Sequence, residues 1–270
     1  MKAVILARGL GTRMRRADTG ATLSADQAAA ADEGIKAMMP IERGRPFLHY
    51  ILSALADAGV TEMCLVIAPD AKELQRHFHH EMTLRRVRIS FAVQPEARGT
   101  ADAVLAAESF VRGERFLVLN ADNYYPIESY KALAKSDRCA LPGFDREALV
   151  TLGNIDEERI RRYALLRVSS DGILEEIVEK PNEETYASMG PHALVSMNLW
   201  AFIPKIFDAC RRVKPSARGE LELPDAVRIL MTELGEKIRV IPFKAPVLDL
   251  GTRADVASVE SALKHVRPIL

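Results

Sequence analysis

The sequence of 270 residues has few cysteines, no net charge and no long apolar run. Its three cysteines, Cys64, Cys139 and Cys210, lie far apart without metal-binding spacing, so we expect buried, reduced thiols in a cytoplasmic protein. A formal net charge of zero argues against a broad nucleic-acid-binding surface. No apolar run is long enough for a transmembrane helix, and Arg8 and Arg13 interrupt the run that a signal peptide would need. We therefore expect neither a membrane span nor a secretory leader.

The first strand of the chain leads into a glycine-containing loop. Residues 3–6 are uniformly apolar, which predicts a buried strand, and Gly9, Gly11, Thr12 and Arg13 follow it. Glycine lets the backbone approach a ligand closely, and the N–H groups of such a loop together with a guanidinium suit a phosphate. The spacing completes neither the dinucleotide fingerprint nor the P-loop motif. Taken alone, the loop is as consistent with a tight turn as with a phosphate site.

Strand and helix patterns alternate through the first 120 residues. The predicted strands are 3–6, 63–68, 87–93 and 116–120, and the predicted helices are 46–59, 71–79 and 101–110. Such alternation predicts an α/β fold with a mostly parallel central sheet and helices on both faces. Ligands of such sheets bind beyond the carboxyl ends of the strands, so loops 9–13, 94–99 and 121–123 are expected to converge on one crevice.

The second half of the chain is less regular. Its predicted strands are 164–168, 173–178, 193–202 and 237–243, and its predicted helices are 223–234 and 253–266. We expect one α/β domain with a lobe inserted at about 143–220. In the segment 14–35, Ser24 and Gln27 predict a capping box ahead of an alanine-rich helix. A mobile flap over the crevice and a disordered surface loop both remain open for this segment.

Several charged residues recur at strand ends or stand alone among apolar neighbours. Lys36 is a lone cation in the stretch 34–41, Asp122 follows the buried strand 116–120, and Glu179 precedes Lys180 and Pro181. Asp249 follows another apolar run and precedes Gly251 and Thr252. Singly, each is explained by a helix cap, a turn or a solvated surface. All of these explanations holding together is improbable, so the whole set indicates a functional site.

The ordered set resembles the sugar-1-phosphate nucleotidyltransferases, the NDP-sugar pyrophosphorylases, including the glucose-1-phosphate thymidylyl- and uridylyltransferases. The resemblance rests on Gly9-x-Gly11-Thr12-Arg13, Lys36, Gln94 with Gly99-Thr100, Asp122, Glu179-Lys180-Pro181 and Asp249-x-Gly251-Thr252. It implies a Rossmann-like, GT-A-like fold and one nucleotidyltransferase domain. Residues 1–142 would mainly bind nucleotide, 143–220 would form the sugar-binding lobe, and 221–270 would supply a closing strand, a closing helix and the second metal carboxylate.

The same resemblance implies a reaction and a role for each matched residue. An NTP and a sugar 1-phosphate would give an NDP-sugar and pyrophosphate, with Mg²⁺ as cofactor and neither nucleic acid nor membrane as partner. The metal ligands would be Asp122 and Asp249. The catalytic residues would be Arg13, Lys36, Asp122 and Lys180. The nucleotide would contact Leu6, Ala7, Gly9, Gly11, Thr12, Arg13, Gln94, Gly99 and Thr100. The sugar phosphate would contact Asn123, Glu179, Lys180 and Asn198.

The sequence departs from the family pattern at several places, and other functions stay open. Arg8 stands where the family usually has a small residue, and residues 196–200 replace a glycine-containing strand of the sugar pocket. A cytidylyltransferase for phosphocholine or a phosphonate is an alternative, although aromatic residues at 6% are few for a choline cage. A non-catalytic nucleotide-sugar-binding protein is another. A glycosyltransferase would want Asp-x-Asp where this chain has Asp122-Asn123-Tyr124. The base, the sugar and a homo-oligomeric state are left open.

Overall fold

The computed structural model describes residues 1–18, 20–216 and 218–270. Thr19, inside the predicted flap, and Ala217, inside the predicted lobe, lie outside the described residues. No helix in these ranges combines the length and the apolar character that crossing a membrane requires.

Strands occur along the whole chain. They are β1 (Lys2–Leu6), β2 (Pro40–Ile41), β3 (Arg45–Pro46), β4 (Glu62–Ile67), β5 (Arg88–Val93), β6 (Phe116–Asn120), β7 (Asn123–Tyr124), β8 (Ala140–Phe144), β9 (Ala164–Val168), β10 (Leu174–Val178), β11 (Leu194–Ser196), β12 (Trp200–Phe202), β13 (Arg239–Phe243) and β14 (Leu248–Asp249).

Helices separate most of the strands. They are α1 (Thr12–Arg15), α2 (Ala25–Glu33), α3 (Phe47–Asp57), α4 (Lys72–Arg76), α5 (Thr100–Ala106), α6 (Glu108–Val111), α7 (Ile127–Lys135), α8 (Arg146–Thr151), α9 (Glu157–Ile160), α10 (Glu183–Ser188), α11 (Ile206–Arg212), α12 (Leu223–Thr232) and α13 (Asp255–Leu263). Lys36–Met38 and Glu42–Gly44 form 3₁₀ turns, and His77–Glu81 forms a π turn that continues α4.

The main sheet has the strand order β10-β9-β11-β8-β12-β6-β1-β4-β5, with β13 beside β8. β1 runs parallel to β4 and β6, with Val4 opposite both Cys64 and Val118. The pairings give β8, β9 and β13 the direction of β1, whereas β10, β11 and β12 run the other way. The prediction of a mostly parallel central sheet is confirmed. The ends of β1, β5 and β6 lie along one edge and carry the loops of the site.

Each face of the sheet buries its own apolar core, because neighbouring side chains on a strand point to opposite faces. In β1, Ala3 and Ile5 join the core covered by α3 and α13. Val4 joins the core covered by α5, α11 and α12. Helices therefore lie on both faces, as the alternation of elements predicts.

The prediction of one strand over 193–202 is wrong. β11 and β12 are separate pieces, and Asn198 between them has a left-handed φ of 57°. β11 pairs with β9 and β8, whereas β12 pairs with β8 and β6. The left-handed residue lets the chain turn from one set of neighbours to another, which a continuous strand could not do. The predicted helix 101–110 is likewise two helices, α5 and α6.

The segment 14–35 contains the alanine-rich helix that the sequence predicts, α2. The predicted capping box is present: the Gln27 main-chain N–H donates to Ser24 Oγ at 3.2 Å, and the Ser24 N–H donates to Gln27 Oε1 at 3.0 Å. Gly34 ends α2 in a left-handed conformation with φ 72°. Mobility of this segment stays a prediction.

Candidate active site

The loop 9–13 packs tightly against the end of α2. Gly11 has a φ of 61°, and a Cβ added there would lie 2.1 Å from the Gly34 carbonyl oxygen. The Arg15 guanidinium donates to the Glu33 carbonyl oxygen at 2.7 and 3.1 Å, which fixes α1 to α2. Only glycine fits position 11, and the segment after the loop supports the loop from behind.

Two of the cations predicted to bind phosphate have no salt-bridge partner among residues 1–18, 20–216 and 218–270. Arg13 in α1 and Lys180 after β10 are exposed, and neither forms a salt bridge with another residue of the described ranges. Lys180 also has a left-handed φ of 46°. Asn198, predicted to contact the sugar phosphate, shares this conformation. A left-handed backbone costs energy in residues other than glycine, and such residues cluster at functional sites.

Lys36 and Asp122 contact each other directly. The Lys36 Nζ donates to Asp122 Oδ2 at 3.0 Å, although the residues are 86 positions apart. Lys36 begins a 3₁₀ turn, and Asp122 lies two residues beyond β6. The structure thus brings together two residues that the sequence motifs assigned to one site.

Asp249 is held beside Asp122 by the short pairing of β14 with β7. Asp249 lies opposite Asn123, the Leu250 N–H donates to the Asp122 carbonyl oxygen at 2.8 Å, and Asn123 Nδ2 donates to Asp249 Oδ1 at 3.2 Å. The side chain of Asp249 is only 5% exposed. Burial and then the Asp122 carboxylate raise the pKa of Asp249, while Arg159 and Lys36 oppose that shift. A nearly buried carboxylate, Asp249, therefore lies beside the carboxylate of Asp122, whose side chain is 26% exposed.

A largely covered arginine, whose side chain is 13% exposed, neutralises part of this charge. Arg159 donates to Asp249 Oδ2 and, at 2.6 Å, to Asp255 Oδ1. Burial alone would lower the pKa of Arg159, but Asp249, Tyr163 and Asp255 together hold it above its ordinary value. The Tyr163 hydroxyl also donates to Asp249 Oδ2, at 2.5 Å, and Asn154 accepts from the Asp249 N–H at 2.8 Å. Asp249 is thus fixed from several sides.

Sequence reasoning missed these supports for Asp249. Four supporting residues were not selected from the sequence: Tyr163, Arg159, Asn154 and Asp255. Arg159 lies 90 positions from Asp249, so no local spacing connects them. Gly251 completes the packing, because a Cβ there would lie 2.9 Å from Arg159 Nη2. The glycine two residues after Asp249 was the single local sign of a crowded site.

The donor set fits a hard divalent cation. Asp122 and Asp249 supply carboxylate oxygens, and no group of three or more His, Cys, Asp or Glu side chains in the described parts of the chain could hold a metal alone. Mg²⁺ is commonly bound by one or two carboxylates, with waters and substrate phosphates completing its coordination. A cation between the two carboxylates would also relieve the repulsion that raises the pKa of Asp249.

Gln94, predicted to contact the nucleotide, is fixed just beyond the end of β5. It is 2% exposed, and its Nε2 donates to the Gly99 carbonyl oxygen at 3.0 Å and to Asp102 Oδ2 at 2.8 Å. Arg8 crosses from the first loop, donating through Nε to the Gln94 carbonyl oxygen at 3.1 Å and through Nη2 to the Pro95 carbonyl oxygen at 3.2 Å. The unusual Arg8 therefore ties two of the three predicted loops together.

Gly99 is constrained by both conformation and space. Its φ of 117° suits glycine alone, and a Cβ would lie 2.4 Å from the Leu221 carbonyl oxygen. Thr100, predicted to contact the nucleotide, uses its hydroxyl to accept from the Leu223 N–H at 2.8 Å, which joins α5 to α12. The loop before α5 is thus fixed against the start of α12.

The residues predicted to contact the sugar phosphate are less closely assembled. Within the described residues, Glu179 and Lys180 form no hydrogen bond or ion pair with Lys36, Asp122 or Asp249. The turn at Asn198 does connect with the segment that follows β7, because the Tyr125 hydroxyl donates to the Met197 carbonyl oxygen at 2.5 Å. Direct contacts therefore join Lys36, Asp122, Asn123 and Asp249, while Glu179 and Lys180 stand apart.

Comparison with known proteins decides the family. The sequence model of the family described as nucleotidyl transferase matches residues 2–265. The chain belongs to this nucleotidyltransferase family. It is accordingly an enzyme, and its family generally uses a divalent metal ion.

Individual relatives of this nucleotidyltransferase cover nearly its whole length. It is 29% identical over 267 residues to the UTP–glucose-1-phosphate uridylyltransferase AglF of Haloferax volcanii, covering 98% of this chain and 97% of the relative. It is 24% identical to a glucose-1-phosphate thymidylyltransferase of Neisseria meningitidis, covering 100% of this chain and 84% of the relative. Neither name favours the phosphocholine or phosphonate alternative.

A solved structure supports the fold independently. The nucleotidyltransferase resembles a UDP-glucose pyrophosphorylase complexed with UDP-glucose, with a TM-score of 0.75 and 20% identity, covering 98% of this chain and 99% of the other. The predicted fold of nucleotide-diphospho-sugar transferases is confirmed.

Proposed function

We propose that this nucleotidyltransferase joins a sugar 1-phosphate to the α-phosphorus of an NTP, giving an NDP-sugar and pyrophosphate. The observation that carries the proposal is the ion pair of Lys36 with Asp122, which lies beside Asp249. This group lies at the edge of the sheet from which the loop 9–13 follows β1. Two anions must be aligned and their charge reduced before one attacks the other. A cation and two carboxylates beside a glycine loop suit that task.

The first loop would hold the leaving pyrophosphate. The main-chain N–H groups of Gly11 and Thr12 and the exposed guanidinium of Arg13 would supply donors for the β- and γ-phosphates. The nucleotide would also contact Leu6, Ala7 and Gly9, at and just beyond the end of β1. Because α2 supports this loop from behind, its shape is set before the nucleotide arrives.

Lys36 would neutralise charge near the reacting phosphorus. Its ion pair with Asp122 holds the ammonium group just beyond the end of β6. When substrate binds, the ammonium group would move from Asp122 to pair with a phosphate oxygen. We propose Mg²⁺ as the divalent ion, held by Asp122 and Asp249, where it would supply further charge neutralisation to the phosphates. Arg159 and Tyr163 would keep Asp249 in the orientation that this requires.

The lobe at 143–220 would bind the sugar phosphate, with 1–142 mainly binding nucleotide and 221–270 adding Asp249. Lys180 has no internal salt bridge within the described ranges, so its charge is available to orient the attacking phosphate. Glu179 and Asn198 supply groups for sugar hydroxyls, and Asn123 would contact the sugar phosphate next to the metal. A phosphate already carries the attacking lone pair, so no general base is needed.

The names of the relatives support a uracil or thymine nucleotide and glucose 1-phosphate as first substrates to try. The free, buried thiols Cys64, Cys139 and Cys210 support a reducing, cytoplasmic setting.

The test is release of pyrophosphate from a panel of NTPs and sugar 1-phosphates with Mg²⁺, using wild type and Lys36→Met. Loss of one positioned charge from such a site typically costs about 10²–10³ in kcat. We expect the wild type to release pyrophosphate only when both substrates are present, and Lys36→Met to be slower by about that factor.

Two matched controls accompany this assay. Lys264→Met removes an exposed lysine of the C-terminal segment, and Asp70→Asn makes on an exposed residue the change that Asp122→Asn makes in the site. Both controls should retain wild-type rates, while Asp122→Asn should lose activity. Wild-type protein that releases no pyrophosphate with any pair, or Asp122→Asn with full turnover, would contradict the proposal.

A further inference from the structure

The hydrogen-bond partners of the Gln94 side-chain amide fix which way its nitrogen and its oxygen face. Both partners of Nε2, the Gly99 carbonyl oxygen and the Asp102 carboxylate, can only accept hydrogen bonds. Swapping the nitrogen and the oxygen would place Oε1 against two acceptors. Nε2 therefore has to face Gly99 and Asp102, and Oε1 faces the other way.

The oxygen of this amide is left available. In the described part of the chain no donor hydrogen-bonds to Gln94 Oε1, and the atom is not among the buried side-chain atoms that lack a partner. It therefore keeps a small opening to solvent although Gln94 as a whole is only 2% exposed, at the edge where β5 ends and the first loop approaches through Arg8. What Gln94 offers a ligand there is a hydrogen-bond acceptor.

An acceptor in this place discriminates between bases. Uracil and thymine carry a hydrogen on N3 and can donate it, whereas N3 of cytosine is itself an acceptor and would meet Oε1 unfavourably. Sites with a fixed hydrogen-bonding group reject ligands that leave that group unpaired or opposed.

We propose that Asp102 is the positioning residue that makes this site select uracil or thymine nucleotides over cytosine nucleotides, by fixing the Gln94 amide with its oxygen outward. The inference rests on the proposed function, since it assumes that Gln94 contacts the base. Asp102 would act through its hydrogen bond from Gln94 Nε2 and not by contacting the base itself. It lies on the first turn of α5, and Arg98 Nη1 lies 3.9 Å from its other oxygen.

The test compares the affinities of UTP and CTP, with Mg²⁺, by calorimetry on wild type and Asp102→Asn. Asparagine offers Gln94 either an acceptor or a donor, so one of the two constraints on the amide is lost while the size of the side chain is kept. We expect the UTP-to-CTP affinity ratio to fall by about tenfold, the worth of one hydrogen bond. CTP binding should strengthen while UTP binding weakens.

Two variants separate this effect from a general change of charge or packing. Glu96→Gln makes the same chemical change on an exposed neighbour of the loop, and Arg98→Gln removes the ion pair while keeping Asp102. Both should keep the wild-type ratio.

The outcomes are distinct from those that test nucleotidyl transfer. The role of Asp102 is overturned if the UTP-to-CTP affinity ratio is unchanged in Asp102→Asn, which includes equal weakening of both nucleotides. It is also overturned if wild-type protein binds CTP more tightly than UTP. Wild-type protein that prefers UTP, with a ratio that falls in Asp102→Asn, supports it. That support stands even where the separate pyrophosphate assay shows no turnover.

Discussion

Replacing Arg159 by methionine should destabilise the fold strongly. The side chains of Arg159, Asp249 and Asp255 are only 13%, 5% and 8% exposed, so the substitution leaves two poorly solvated carboxylates without their shared cation. Asp255 keeps three other donors, from the Gly251 N–H and the Thr252 N–H and hydroxyl, so most of the penalty falls on Asp249. Removing one partner of a buried ion pair typically costs about 3–5 kcal/mol.

The same reasoning fixes how this loss changes with pH. Without Arg159 the pKa of Asp249 rises further above its unfolded value, since burial and Asp122 already raise it. A carboxyl whose pKa is raised in the folded state destabilises the fold above that pKa, and stability returns as pH falls and the carboxyl takes up a proton. The difference between wild type and Arg159→Met should therefore shrink between pH 8 and pH 5, by about 1.4 kcal/mol for each pH unit over which the folded variant binds one proton more than folded wild type.

Urea unfolding followed by the fluorescence of Trp200 measures both effects. Trp200 is the single tryptophan and is fully buried, so its emission reports loss of the core. Arg167→Met is the matched control, because Arg167 pairs with Glu176 at 3.1 Å on the surface, where such a pair contributes about 0–1 kcal/mol. If Arg159→Met lies within about 1 kcal/mol of wild type at pH 8, or its deficit grows at pH 5, the account of Asp249 is refuted.

Two further predictions concern the scaffold around the site. Gly99→Ala should lower the free energy of unfolding by at least about 1 kcal/mol more than Gly190→Ala, because both positions have positive φ but only a Cβ at Gly99 meets a backbone atom, at 2.4 Å. Thermal unfolding compares the two variants, and equal losses of stability would contradict the close approach at Gly99. His49 has its pKa lowered to about 4, by burial and then by His77, so the unfolded chain takes up a proton below about pH 6.5 before the folded chain does and stability falls there. When the pH falls from 7.5 to 5, the free energy of unfolding should therefore drop by about 2 kcal/mol less in His49→Gln than in wild type. Urea unfolding at a series of pH values measures this, and pH profiles that run parallel in the two proteins would argue against it.

Buried strands of the first half were predictable because their apolar character is local. β6 occupies the predicted residues 116–120, and β1 differs from its prediction by one residue. β8 was missed because Pro142 and Gly143 disfavour a strand when judged alone. In the structure Gly143 is required by its neighbours, since a Cβ there would lie 2.7 Å from Leu194 Cδ1 and 2.8 Å from Val240 Cγ1. That reason lies in residues far away in the sequence.

The residues of the site also fall into those that the sequence predicts and those that only the fold reveals. Lys36, Asp122 and Asp249 were selectable because each is a charge beside an apolar run, and the fold brings them together. Arg159 and Asp102, which hold other site residues in place, look like ordinary helix-surface charges in the sequence. Their importance arises only from contacts, so it could not be predicted from composition, periodicity or motif spacing.

The central claim is that a phosphate oxygen of a sugar 1-phosphate attacks the α-phosphorus of an NTP. The most direct measurement uses sugar 1-phosphate labelled with ¹⁸O in its phosphate, with ³¹P NMR of the products formed in the presence of Mg²⁺. Every labelled oxygen should stay bonded to the β-phosphorus of the NDP-sugar, one of them should also be bonded to the α-phosphorus as the bridging oxygen, and pyrophosphate should carry no label. Label in pyrophosphate, or an intact fold that forms no NDP-sugar from any pair of substrates, would contradict the account.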